Sequence, residues 1–114
     1  MTLTVSAPPH DALRRGGFVA FSVLTVPIEG RDALEAAFKA RMGAVDDWPG
    51  FRGLEVWEST DDPAMFTMVS WWDDEASFKA YMGSTDHRTS HRRIPGGEHR
   101  PRPVSFQRFQ VVAR

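Results

Sequence analysis

Residues 69–78 read VSWWDDEASF, an apolar and aromatic run that ends in three consecutive carboxylates. The run completes a strand pattern that begins at Met65, because bulky aromatic and β-branched residues favour strands. Asp73 or Asp74 is a suitable helix N-cap, since a short carboxylate accepts hydrogen bonds from the free N–H groups of a first helical turn. The sequence therefore predicts a strand over 65–72 and a helix that begins directly after it.

The rest of the chain divides into strand and helix patterns around this junction. Residues 18–26 are rich in Phe, Val and Thr and end at Pro27, which cannot donate to a strand ladder. The turn Asp61-Asp62-Pro63 predicts a hairpin between the strands on either side of it. The predicted elements are strands over 18–26, 51–59, 65–72 and 104–112, and helices over 31–45, from 73 or 74 to 82, and over 84–93.

This order of elements predicts an α+β fold of the ferredoxin-like split βαβ type, with a four-stranded antiparallel sheet and its helices on one face. The first strand is mostly apolar on both faces, so both faces of the sheet need cover. A second copy of the chain, packed sheet against sheet, supplies that cover most simply, and we expect a homodimer. The domain is predicted to span residues 18–114, and residues 1–17 a flexible N-terminal arm.

Composition narrows the possible function classes. The 114 residues include no cysteine, so a disulfide scaffold and a cysteine-ligated metal site are excluded. The formal net charge is −1, which argues against general nucleic-acid or membrane binding. No apolar run approaches the roughly 18–20 residues that span a bilayer, and residues 1–17 lack the pattern of a signal peptide. A cytoplasmic location is the expectation.

The charges are unevenly distributed along the chain. Residues 87–108 contain six arginines and one acidic residue, Glu98, together with three of the four histidines. Such a segment is either a solvated basic loop or an anion-binding rim for carboxylates or phosphate. His87 and His91 stand four residues apart, the spacing of two zinc ligands on a helix. Arg88 occupies the place of the glutamate base, which argues against a zinc hydrolase.

The motifs Val26-Pro27, WPGFRG at 48–53 and VSWWDDEASF at 69–78 resemble those of the antibiotic biosynthesis monooxygenase superfamily, which consists of small dimeric α+β barrels. The resemblance covers roughly Phe18 to Val112. Residues 77–93 are most similar to the heme-degrading branch, in which a histidine on the helix after the acidic strand end ligates heme iron. That histidine follows an aromatic residue by the spacing that separates Tyr81 from His91.

The resemblance implies heme as cofactor and oxidative heme degradation with dioxygen as function. His91 would hold the iron, and Tyr81 or Ser22 would hydrogen-bond the oxygen, although the branch has Trp and Asn at these two positions. The resemblance also implies that apolar side chains contact the heme faces and that Arg88 and Arg92 bind its propionates. The apolar residues are Phe21, Phe78, Leu24, Phe38, Phe66 and Met82.

Two other functions remain open from the sequence. One is oxygenation of a reduced aromatic polyketide to a quinone without a cofactor, with His91 or His87 as base and Tyr81 or Trp72 orienting the rings. The other is a non-catalytic dimer that binds an apolar, planar small molecule. In that case Tyr81 and His91 are ordinary residues of a helix surface.

Overall fold

The computed structural model describes residues 16–40, 45–92 and 95–114. Strands and helices follow one another in the predicted order. The strands are β1 (Phe18–Thr25), β2 (Phe51–Glu58), β3 (Met65–Trp72) and β4 (Arg102–Gln110), and the helices are α1 (Ile28–Lys39), α2 (Glu75–Met82) and α3 (Thr85–His91). The neighbouring strands are antiparallel in the order β2-β3-β1-β4. This is the split βαβ topology, so the predicted fold class is confirmed.

Two elements begin earlier than predicted, and helix α1 ends at Lys39 rather than at residue 45. Helix α1 begins at Ile28, three residues early, because Pro27 at φ −56° directs the chain into the helix without needing a side-chain cap. Strand β4 begins at Arg102 and includes Pro103, which an edge strand tolerates since one side of its ladder is unpaired. Residues 41–44 of the predicted first helix and residues 1–15 of the predicted arm lie outside the described residues.

The sheet has two chemically distinct faces. The helix face carries Phe18, Ala20, Ser22 and Leu24 of β1, and opposite them lie Trp72, Ser70, Met68 and Phe66 of β3. Residues directly opposite in antiparallel strands share a face, so Val19, Phe21, Val69 and Trp71 lie on the other side. We call this side the open face, because the ring contacts of α1 and α2 are all made with the helix face.

The buried core of the helix face is divided into two clusters. The first joins Trp72 to Phe78 and Tyr81 of α2, with Trp48 and Phe51 packed against it. The second is made of Val26, Leu34 and Phe66, with Phe38 and Val56 packed against it. Helix α2 therefore covers one end of the sheet and helix α1 the other.

The turn 48–50 holds the junction between β3 and α2. Gly50 has φ +84°, and a Cβ atom there would lie 2.2 Å from the Ser77 hydroxyl oxygen. The N–H of Asp73 donates to the carbonyl of Gly50 at 2.8 Å, and Arg52 forms an ion pair with Asp73. Asp74 caps α2 by accepting from the Ser77 N–H at 2.8 Å. The predicted capping role is thus confirmed for Asp74.

We expect Gly50→Ala to lower the free energy of unfolding by about 1–3 kcal/mol, through the left-handed backbone and the close approach to Ser77. Two glycines serve as matched controls. Gly97→Ala, at φ +88° with no atom within 4 Å, isolates the backbone cost, which is roughly 1 kcal/mol. Gly96→Ala has open space and no positive φ, so it is expected to be neutral. Chemical denaturation measures all three, and equal losses at Gly50 and Gly97 would show that packing on Ser77 is unimportant.

The cap at Asp74 predicts a dependence of stability on pH. The hydrogen bond from Ser77 lowers the pKa of Asp74 below its ordinary value of 3.8. A lowered pKa in the folded state stabilises the fold above the unfolded pKa, and this contribution is lost as pH falls through the folded value. The stability difference between the wild type and Asp74→Asn should therefore shrink between pH 6 and pH 3. Thermal unfolding across this range tests it, and a constant difference would contradict it.

Candidate functional site

The region between the two clusters is where the helix face is least completely covered. The strand register aligns four residues across the sheet there, namely Val56, Met68, Ser22 and Phe106. We call these four the central row. The first three are partly buried, and Phe106 is 49% exposed although its ring stacks on Phe78 at 5.8 Å. The central row is an apolar surface with a single hydroxyl group at its middle.

Tyr81 lies in the first cluster at the edge of this region. It is 7% exposed, and its ring contacts those of Trp48, Trp72 and His87 at centroid distances of 5.3, 5.6 and 5.3 Å. Within the described ranges, its phenolic oxygen makes no hydrogen bond. A buried hydroxyl ordinarily has a partner, so Tyr81 carries polar capacity that the described chain leaves unused.

Ser22 of the central row also has a hydroxyl group without a hydrogen-bond partner in the described chain. The backbone of β1 pairs on both sides, with Met68 opposite on β3 and Phe106 opposite on β4. The hydroxyl of Ser22 has no hydrogen-bond partner among residues 16–40, 45–92 and 95–114. The structure therefore places Ser22 and Tyr81, two of the predicted site residues, on the same side of the sheet.

Trp72, the third predicted catalytic residue, is a core residue. It is 2% exposed, and its indole N–H donates to the Ser70 hydroxyl oxygen at 2.9 Å. Its ring lies against Tyr81 and Phe78. Trp72 thus packs between the sheet and the Tyr81 ring and restricts the position of that ring. Sequence reasoning missed Ser70. The alternation of side chains between the two faces of β3 could have placed it on the same face as Ser22.

Helix α3 begins next to Tyr81 through a shared hydroxyl. The Ser84 hydroxyl donates to the Tyr81 carbonyl at 2.6 Å and accepts from the N–H of His87 at 3.1 Å. This arrangement turns the imidazole of His87 against the Tyr81 ring. His91 is the last residue of α3, and its side chain lies outside what the structure describes.

The two arginines predicted for the rim differ in their surroundings. Arg88 folds back on the junction of α2 and α3, donating to the Gly83 carbonyl at 3.3 Å and to the Thr85 hydroxyl at 3.2 Å. Arg92 is exposed just after the helix, and its N–H donates to the Arg88 carbonyl. Both cations therefore lie at the α3 side of the molecule.

Phe21 is separated from the other predicted slot residues. It lies on the open face, where its ring contacts Trp57 at 5.8 Å and Phe109 at 5.3 Å. Phe78 lies on the helix face with Phe18 and Phe106. Phe21 and Phe78 therefore lie on opposite sides of the sheet within one chain, because β1 directs Phe21 to the face that α2 does not cover.

Two clefts lie away from the central row. One, of about 480 Å³, lies at the end of the sheet and is lined by residues that include Asp73, Glu75 and Arg108. The other, of about 320 Å³, lies on the open face and is lined by Val19, Phe21, Trp71 and Phe109. Neither cleft contains Ser22 or Tyr81. The second cleft shows instead that the open face carries an apolar depression.

In the described part of the chain, no group of three or more His, Cys, Asp or Glu side chains could hold a metal ion. None of the described helices is long and apolar enough to cross a membrane.

Fold and site together define a ferredoxin-like α+β domain with hydroxyl groups among the apolar residues of its helix face. The chain belongs to the antibiotic biosynthesis monooxygenase family, whose model matches residues 18–93. The recognition made from the sequence motifs is confirmed at this level.

Curated relatives point to the heme-degrading members of this family. The chain is 31% identical over 61 residues to heme oxygenases (staphylobilin-producing) from two strains of Staphylococcus epidermidis. The match covers 52% of this chain and 59% of the relatives, so the chain spans little more than half of their length.

Solved structures share the fold at lower identity. The heme degrader MhuD of Mycobacterium tuberculosis, with two hemes bound in its active site, superposes with a TM-score of 0.68 at 22% identity, covering 85% of this chain and 97% of that one. A protein of Pseudomonas aeruginosa has a TM-score of 0.68 at 17% identity and covers 86% of this chain and 96% of its own. Both likenesses describe the fold.

Proposed function

We propose that this chain is a monooxygenase that binds heme on its helix face and degrades it oxidatively. The observation that carries the proposal is that Ser22 and buried Tyr81 lie on the same side of the sheet, each with a hydroxyl group that has no partner in the described chain. A heme site needs apolar surface for the porphyrin and a few donors near the iron. The heme oxygenases among the relatives support the same ligand.

The residues of the helix face fit such a group chemically. Met68, Phe106 and Met82 offer polarisable and flat apolar surface, and Met82 is 37% exposed at the end of α2. His91 offers an imidazole, which is a good axial ligand for iron. When bound, heme supplies a centre that binds and activates dioxygen.

Under this proposal, each candidate site residue has a defined role. His91 would hold the cofactor, and Arg88 and Arg92 would offer cations to its propionates. Tyr81 and Ser22 each present a hydroxyl that donates or accepts a hydrogen bond. The indole of Trp72, fixed by Ser70, keeps the Tyr81 ring in place.

Hemin titration of the purified protein tests the proposal. We expect a saturable shift of the Soret band in the wild type, and binding weakened by roughly tenfold or more in His91→Ala. His99→Ala is the matched control, because His99 is an exposed histidine of the loop before β4. The absence of a Soret shift, or equal effects of both substitutions, would contradict heme ligation by His91.

The alternative function, oxygenation without a cofactor, is distinguished from the heme proposal by a second assay. That function predicts dioxygen uptake with an anthrone in metal-free buffer, lost on substitution of Tyr81 or His87 and indifferent to hemin. Oxygen uptake without hemin would therefore replace the heme proposal with that alternative. Inactivity in both assays would contradict both oxygenase functions and favour the non-catalytic alternative.

We further propose that residues 18–114 act as one domain in a cytoplasmic homodimer packed through the open face. Trp57, Phe21 and Phe109 form a continuous row of ring contacts there. Trp57 is 44% and Phe109 48% exposed, although Val69 between them is fully buried. Such an apolar sheet face is stable in water when a second sheet covers it.

Two half-exposed phenylalanines of β4 provide a matched test of this interface. Phe109 lies on the open face, and Phe106, exposed to 49%, lies on the helix face. Phe109→Glu should convert the dimer to a monomer, because it buries a charge against an apolar surface. Phe106→Glu should leave the dimer intact. Light scattering after size exclusion gives the masses, and a monomeric wild type would sink the proposal.

A further inference from the structure

Ser70 is a polar residue whose position resembles that of Ser22. It pairs with Ala20 of β1 and with Leu54 of β2, which places it on the helix face. Ala20 is 3% exposed and belongs to the first core cluster. Ser70 is partly buried, so its hydroxyl sits in apolar surroundings at the border of the central row.

The two serines are diagonal neighbours across the β1–β3 pair. Ser22 is opposite Met68, and Ser70 is opposite Ala20. The two serines are therefore offset by two residues along the strands and lie on the same face. Diagonal pairs of this kind have Cβ atoms within about 7–8 Å of each other. Two hydroxyl groups at this separation can reach the same ligand oxygen or two oxygens of one ligand.

Both hydroxyls retain hydrogen-bonding capacity. Ser70 accepts from the Trp72 indole at 2.9 Å, which uses one lone pair and leaves its proton to donate. No acceptor for that proton is found among the residues that the structure describes, and the same holds for Ser22. Polar groups in apolar surroundings are normally satisfied, so these protons are available to a bound molecule.

We propose that Ser70 is a ligand-contacting residue that, together with Ser22, receives an oxygen atom of a flat apolar ligand. The inference rests on the proposed site but not on heme as its occupant. The oxygen is a carbonyl or hydroxyl oxygen of that ligand. It accepts hydrogen bonds from the two serines and is directed at the sheet between the two core clusters.

Two probes that differ only in oxygen test this inference. Anthraquinone and anthracene have the same three-ring skeleton, and quenching of tryptophan fluorescence measures their binding to the full chain. Ser70→Ala and Ser22→Ala should each weaken anthraquinone binding by about tenfold, while anthracene binding stays within about twofold of wild type. Ser70→Thr keeps a hydroxyl and should restore anthraquinone affinity. Ser105→Ala, on the opposite face of β4, should leave both affinities unchanged.

The outcomes separate this inference from the heme proposal. Equal losses for both probes in Ser70→Ala, without rescue by Ser70→Thr, would mean that Ser70 acts only by holding Trp72. Unchanged binding of anthraquinone in both serine variants would also overturn the inference, even if hemin binds through His91. Serine-dependent anthraquinone binding in a protein that ignores hemin would support the inference and overturn heme as the ligand.

Discussion

The hydrogen bond from Asp73 to Gly50 and the cap that Asp74 provides connect the two halves of this domain. The first fastens the turn before β2 to the end of β3, and the second fixes the first turn of α2, so the two bonds together place the covering helix beside the edge hairpin. Helix α2 then carries Phe78 and Tyr81 onto the helix face. The junction thereby positions α2 over the first core cluster, at whose border the candidate site lies.

Local chemistry explains why the elements were predictable. The carboxylates at 73–75, Pro27 and the turn at 61–63 act on their immediate neighbours, and strand and helix periods need only a few residues to be recognised. The ends of α1 and β4 were misplaced because proline can begin a helix and can lie in an edge strand. Whether a proline begins a helix or lies in an edge strand depends on its position in the folded domain, and the local sequence pattern does not give that position.

The site was harder to predict because it depends on register. Whether Phe21 faces the helices or the open side follows from which face α1 and α2 cover, and both faces of β1 are apolar in sequence. Burial of Trp72 likewise follows from which face α2 covers, because its ring packs against Phe78 and Tyr81 of that helix. Ser22 was found because it stands where the resembling branch has an asparagine, whereas nothing in the resemblance singled out Ser70 beside its two tryptophans.

The hydroxyl chemistry of this face has a consequence for ligand choice. An indole only donates a hydrogen bond, whereas a phenol or a serine both donates and accepts. With Tyr81, Ser22 and Ser70 on one face, this chain can satisfy a ligand oxygen that needs a donor as well as a ligand hydroxyl that needs an acceptor. The apolar surroundings strengthen each such bond and penalise a ligand that leaves it unmade. Selectivity in this protein is therefore expected to depend on where a flat ligand carries its oxygen more than on the size of its ring system.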